Sequence, residues 1–328
     1  MDPRSSVPVQ GKATGEITLE TLPKELTLDF LKKITNDFST DYIKGSGPFG
    51  TIYKGILGDG EVIAVQRLEE NSPVPPEKIF ANEVENIMVL RHKNIVKLIA
   101  YCRETQNALV QSNGTNIIAE ITETLLCYEY LPNGSLHQNI FGESSSIDWD
   151  TRFRIIKGIC EGILFLHTLP YPILHLGLTP QNILLDNNMA PKISEFGFSR
   201  IFGAEKTRTN TKSDVGSIGY MAPEYLYNGE ISARSDIYSL GLIIMEICTR
   251  EKNSSSIDQK HARKYIDGVK ENWIRIDQIM SKYKDLEEHC FEQIEGCINI
   301  ALQCVEIDGE KRPSIEEILN SLSKLPDS

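Results

Sequence analysis

The 328-residue chain has no run approaching the roughly 18 to 20 apolar residues a membrane-spanning helix requires; its longest candidate, Leu240–Ile247, already contains Glu246. It also has no excess of basic charge. With 34 Lys and Arg against 46 Asp and Glu, the formal net charge is −12, which argues against attraction to a phosphate backbone, so nucleic acid is not an expected partner. None of the seven cysteines forms a CxxC pair, and no histidine cluster shows metal-ligand spacing. Reduced, buried thiols are expected, and the recurrence of Cys290, Cys297 and Cys304 every seven residues reads as one packed helix face. No repeat of 20 to 50 residues is visible. The start Met1-Asp2-Pro3 offers neither a myristoylation glycine nor a signal peptide, and the end Leu325-Pro326-Asp327-Ser328 is no prenylation box. The expected compartment is the cytoplasm, with no direct insertion into a bilayer.

What is present is a globular composition, 40% hydrophobic and 24% charged. Residues 1–24, rich in Ser, Pro, Gly and Thr, read as a flexible leader. Leu28, Leu31, Ile34 and Phe38 then recur at helical spacing, and strands are expected at Gly50–Gly55 and Glu61–Leu68 around the turn Gly58-Asp59-Gly60. A helix at Glu77–Arg91 and strands at Val96–Cys102 and Leu125–Tyr130 complete a strand-rich unit over residues 25–130. Residues 104–123 are longer than the hairpin such strands need and read as an extended loop insertion, either a partner-binding loop or a translated intron. Beyond the turn-rich Leu131-Pro132-Asn133-Gly134-Ser135, residues 131–326 form a mainly helical unit, with the clearest helices at Trp149–His167, Ser235–Thr249 and Phe291–Val305.

A series of short motifs runs through both units in order. Gly45-Ser46-Gly47-Pro48-Phe49-Gly50 is a glycine-rich turn of the kind that lets a backbone approach phosphates. It is followed by Ile63-Ala64-Val65-Gln66, Glu83 in the next helix, His175–Asn182, Glu195-Phe196-Gly197, Ala222-Pro223-Glu224, Asp236 and Arg312-Pro313. On these residues the chain, from about 38 to 325, resembles a protein kinase, and Gly219-Tyr220-Met221-Ala222-Pro223-Glu224-Tyr225 is similar to plant receptor-like kinases of the cysteine-rich and S-domain kinds. The resemblance implies an α+β, bilobal fold, with a small β-rich N-lobe carrying one main helix and a larger, mainly helical C-lobe.

The same resemblance locates departures. Phosphoryl transfer depends on a few charged groups in position, so their loss is decisive. Gln66 stands where the family places the lysine that holds the α- and β-phosphates, and an amide brings no positive charge. Strand alternation puts Arg67 on the opposite face. Gly177 stands in place of the aspartate that accepts the substrate hydroxyl proton, and Thr179 in place of a charge-neutralising lysine. Leu176 replaces the arginine that reads a phosphate on the segment holding Thr207, Thr209, Thr211 and Ser213. Glu195 keeps a carboxylate at the metal position but extends it by a methylene, and a misplacement of about 1 Å can cost about 100-fold.

Other positions match the family. By resemblance Gly45, Gly47 and Gly50 line the phosphate loop, and Ile52, Ala64 and Leu184 flank an adenine ring. Tyr128 is the gatekeeper before a hinge of Glu129, Tyr130 and Leu131, and Asn182 is a metal-ligand position. Ile87, Leu98, His175 and Phe196 are expected to stack on Asp236, and Glu224 to pair with Arg312. Lys54, on the face of Ile52, is a candidate substitute cation. The resemblance leaves ATP as the cofactor to test, at weak affinity, without an expectation of Mg2+ or of an intact metal site at Asn182 and Glu195. It implies a catalytically impaired domain, a pseudokinase acting as scaffold, decoy or regulator in plant receptor or immune signalling. Its expected partners are an active kinase or receptor complex, which would recruit it to the plasma membrane. Two alternatives stay open: a nucleotide-binding switch, and a weak serine/threonine kinase.

Overall fold

The computed structural model describes residues 17–112, 115–142, 147–201, 209–210, 218–253, 259–283 and 286–326. The chain enters through helix α1 (Leu28–Ile34), capped by the Thr27 hydroxyl and burying Leu28, Leu31 and Ile34 at helical spacing. Five strands follow, β1 (Ile43–Gly47), β2 (Gly50–Ile56), β3 (Val62–Leu68), and, after helix α2 (Pro76–Asn82), β4 (Leu98–Ser112) and β5 (Thr115–Glu129). They form one sheet in the order β1-β2-β3-β5-β4. Alternation along β3 sorts its side chains as expected: Ile63 and Val65 join α1 in an outer core, while Gln66 and Leu68 face the other way. Arg67 lies on the outer side, donating from Nε to Glu123 Oε2 at 2.8 Å with its guanidinium over the Phe38 ring.

Two expectations for this lobe are corrected. Residues 104–123 are not a loop: β4 and β5 pair continuously from Leu98↔Tyr128 to Ser112↔Thr115, so the stretch is a two-stranded ribbon. It runs on past the sheet because β3 pairs with β5 only from Glu129 to Leu125. Of the supposed flexible leader, residues 17–24 pack on the lobe, with Leu19 and Leu22 against the outer core and Lys24 O accepting from Tyr101 N at 2.8 Å. Residues 1–16 lie outside the described residues.

Helix α2 begins at proline, whose fixed φ suits a first helical turn, and passes at Glu83–Ile87 into a π-helical stretch, where Met88 N bonds to Glu83 O at 2.8 Å. The expected single helix over 77–91 is thus interrupted at the residue whose side chain enters the cleft.

The second lobe is built from α3 (Leu136–Phe141), α4 (Trp149–His167), α5 (Pro223–Asn228), α6 (Ala233–Thr249), α7 (Gln259–Asn272), α8 (Ile276–Lys282), α9 (Glu288–Cys304) and α10 (Ile315–Leu322). Short strands β6 (Ile173–Leu174), β7 (Ile183–Leu185), β8 (Pro191–Ile193), β9 (Arg200–Ile201), β10 (Thr209–Asn210) and β11 (Glu230–Ile231) pair as β6 with β9, β7 with β8 and β10 with β11. The architecture is therefore bilobal and α+β, with a β-rich first lobe and a mainly helical second. A single core runs through the helices and up to the inner face of the sheet, where Leu98 and Leu126 join it. Helix α6 is buried from Ser235 to Thr249. No helix among the described residues is long and apolar enough to cross a membrane.

Candidate functional site: the cleft between the lobes

The turn between β1 and β2 hangs over the cleft. Gly50 adopts φ +140°, and a Cβ there would collide with the Arg67 carbonyl, so close approach to β3 requires glycine. A Cβ at Gly45 or Gly47 would meet open space, so nothing in the packing demands glycine at either position. Phe49, at the tip, folds inward. It is buried, its ring lies 4.6 Å edge-on to Phe198, and a Cβ on Gly197 would touch it at 3.3 Å.

Beneath that aromatic pair lie two carboxyl groups without a cation. Gln66 Nε2 donates to Glu195 Oε1 at 3.0 Å. Glu83 is almost fully buried; Oε1 accepts from Phe196 N at 3.0 Å, while Oε2 has no hydrogen-bond partner. Burial, reinforced by the nearby charge of Glu195, pushes the Glu83 carboxyl up to about 8. Burial likewise raises Glu195 to about 7, against the opposing pull of the Gln66 amide. Tyr128 borders the group, and burial with these two acidic neighbours keeps its phenol neutral. Among the described residues neither acid forms an ion pair, and Lys54, opposite Ala64 in the β2–β3 ladder, forms none either. Glu83 is thus buried in the cleft rather than on an open helix face.

The loop His175–Asn182 hangs from α6. Asp236 accepts from His175 N and Leu176 N, each at 2.8 Å, and from His167 Nε2 at 2.9 Å. Burial would raise its pKa, but these contacts hold it below the usual carboxylate range. The paired donors keep Leu176 at φ +59°, a strained conformation for a side-chain-bearing residue. His175, neutral through burial, bonds from Nε2 to Ser194 O at 2.9 Å and stacks edge-on to Phe196. Ile87 and Leu98 share the same core, so the residues expected to form a column are all buried above Asp236.

Gly177 brings no side chain to this loop, and a Cβ there would lie 3.0 Å from Phe198 Cδ2. Thr179 caps the turn at Pro180–Asn182 through its hydroxyl, a local role for a position expected to carry positive charge. Asn182 Nδ2 donates to Gly177 O at 2.8 Å, which fixes the amide plane and leaves Oδ1 on its other side. Ile52, Ala64 and Leu184 are each half-buried. At the hinge, Leu131 is buried, and Glu129 is tied by Lys97 N at 2.8 Å and by Lys192 Nζ at 3.0 Å. Glu224 and Arg312 pair through two bonds of 2.7 and 2.8 Å, with Arg312 fully buried. Thr207, Thr211 and Ser213 lie outside the described residues; Thr209 pairs through its backbone with Ile231. Sequence reasoning missed Phe49 and Phe198, whose only signal was an aromatic beside a glycine in each motif.

The profile of the protein kinase domain family matches residues 38–322. The chain is 37% identical over 314 residues to a cysteine-rich receptor-like protein kinase 25 of Arabidopsis thaliana, covering 93% of this chain and 43% of that protein. It is 38% identical over 308 residues to the receptor-like serine/threonine-protein kinase SD1-7 of the same plant, covering 90% and 34%. A G-type lectin S-receptor-like serine/threonine-protein kinase, also from Arabidopsis thaliana, matches at 37% over 311 residues, covering 94% and 35%. The chain thus spans less than half the length of these relatives.

Proposed function

Since the chain belongs to the protein kinase domain family and is related to plant receptor-like kinases, we propose that it acts by binding, as a scaffold, decoy or regulator whose phosphoryl transfer is lost or strongly reduced. One observation carries this reading: Gln66, an amide, is bonded to Glu195, where the family places a cation beside an acid. Catalysis of phosphoryl transfer is positioning plus charge stabilisation. Among the described residues no cation meets the acids, and no carboxylate stands at 177 to take a hydroxyl proton. Losing one such stabiliser costs about 10² to 10³ in rate.

The residues also fit a magnesium-bound triphosphate poorly. The one acid at the metal position is raised by burial to about 7 and already accepts from Gln66, and the Phe49 ring at the tip of the glycine turn is packed inward on Phe198. What is retained is the internal frame that would hold a binding surface in shape: the buried column on Asp236 and the Glu224–Arg312 pair. The partner in this reading is an active kinase or receptor complex in plant signalling, immunity included, which brings the domain to the plasma membrane. Purified protein incubated with ATP and Mg2+ is expected to transfer no phosphate to itself or to a generic substrate. Robust metal-dependent transfer abolishes the reading.

A second reading, a nucleotide-binding switch or slow serine/threonine kinase, is supported by Asn182, held by Gly177 O with its oxygen free, and by relatives that are named as kinases. It predicts autophosphorylation that Asn182→Ala removes, or a rise in melting temperature with millimolar ATP. Absence of both leaves the scaffold.

A further inference from the structure

We propose that Asp150, His289 and Cys290 form a divalent-cation site of the zinc class at the junction of α4 and α9, remote in sequence from the cleft motifs. One carboxylate oxygen, one ring nitrogen and the thiol sulfur all lie within 4.8 Å of one another. Cys290 Sγ is 3.5 Å from His289 Nε2. That spacing is close to the separation of about 3.5 Å that tetrahedral bonds of about 2.0 to 2.3 Å impose. A mixed oxygen, nitrogen and sulfur set suits zinc better than Mg2+ or Ca2+, which prefer oxygen alone.

A second observation bears on the same ring. Glu287 Oε2 lies 3.4 Å from His289 Nδ1, on the far side from the sulfur. A carboxylate on the outer nitrogen fixes the tautomer that leaves Nε2 as a lone-pair donor and raises its basicity, the arrangement metal-bound histidines commonly show. The two helices are pinned beside the site: Trp149 Nε1 donates to Gln293 Oε1 at 2.6 Å, and Gln293 Nε2 to Pro326 O at 2.5 Å. The donors are therefore held on rigid elements, and closing the triad requires only rotation of side chains.

The acids beside the site attract a bound divalent charge, and the thiol ionises as it ligates. The S–H bond breaks, a sulfur–metal bond forms, and the proton passes to solvent. The fourth position falls to water, so the ion exchanges more readily than in a closed four-residue site.

Cobalt is the probe. Anaerobic titration of the reduced full chain with Co2+ is expected to develop a thiolate-to-metal band in the near ultraviolet that saturates at one equivalent and is displaced by Zn2+. Cys290→Ser should abolish the band. Asp150→Asn should weaken Co2+ binding at least about tenfold, and Glu287→Gln by about 10- to 100-fold, in the range for lost outer partners. Among the described residues no other cysteine lies in a group of three His, Cys, Asp or Glu ligand atoms this close together, so the other six make poor competitors. Absence of the band, its persistence in Cys290→Ser, or unchanged affinity in Asp150→Asn would each overturn the site. Asp150 is exposed, so its variant decides the matter even if Cys290→Ser does not fold.

Discussion

Two buried carboxyl groups, Asp236 in the helical lobe and Glu83 in the cleft, have been given opposite treatment by the fold. Asp236 accepts three hydrogen bonds and is held ionised, its pKa below the usual range. Glu83 accepts one, leaves an oxygen unpartnered, and is driven up to about 8. Burial penalises charge in both places. What separates them is the supply of donors: the frame has kept its polar partners, while Gln66 stands where the cleft needed a cation and bonds to Glu195 instead. A kinase-type frame can therefore persist around an altered site, because packing and hydrogen bonding beneath the catalytic loop do not pass through the cleft charges.

The sharpest way to break this comparison is to re-supply the cleft. Gln66→Lys, Gly177→Asp and Glu195→Asp together should raise phosphoryl transfer by at least about 10³, given the size of single stabilisers. The aspartate Cβ would sit 3.0 Å from Phe198, so the combination should work best with Phe198→Leu, and a radiometric transfer assay compares the two sets. If the triple variant alone regains full activity, Phe198 is no obstacle.

On the side of the frame, Arg312→Met leaves Glu224 without its partner and should cost on the order of 3 to 5 kcal/mol, read by denaturant unfolding. A loss below about 1 kcal/mol would show that the frame does not depend on this pair.

The pH dependence distinguishes the two acids directly. Glu83 keeps its proton when folded and loses it when unfolded, so its contribution is fully present below the usual carboxylate range and is lost as pH rises toward about 8. Asp236 runs the other way, contributing above its unfolded pKa and losing that on acidification. Melts from pH 5 to 8 should therefore decline toward the alkaline end by an amount on the order of a few kcal/mol, and Glu83→Gln should flatten the decline. Glu195 and Glu246, both raised to about 7, add to the decline, while His92, His137 and His175, lowered by burial, oppose it. An unchanged slope in Glu83→Gln contradicts the assignment.

The smallest expected effect belongs to Gln66→Ala. It removes one hydrogen bond to a carboxyl group, worth about 1 to 3 kcal/mol, and should push Glu195 further up, which titration of a side-chain NMR signal would detect.

Much of the fold was legible because its signals are local. Helical spacing at Leu28, Leu31 and Ile34 gave α1, and period-two alternation correctly put Gln66 and Arg67 on opposite faces of β3. The ribbon over 104–123 was misread as a loop, although the β-branched Ile117, Ile118, Ile121 and Thr122 carried a strand signal; polar residues on both faces blurred the alternation. The cluster of Asp150, His289 and Cys290 was invisible, since Asp150 lies far along the chain from the other two and no spacing rule links them.

The sequence by itself determined that position 177 has no carboxylate and position 66 no charge, since the chemical inventory of a side chain is set when the chain is made. Only the tertiary structure decided that the Gln66 amide meets Glu195 across 129 residues, that Phe198 stands where a side chain at 177 would begin, and that burial raises the Glu83 carboxyl. Each of these depends on burial and on distances between remote segments, and the energy of a charge follows its surroundings rather than its place in the chain.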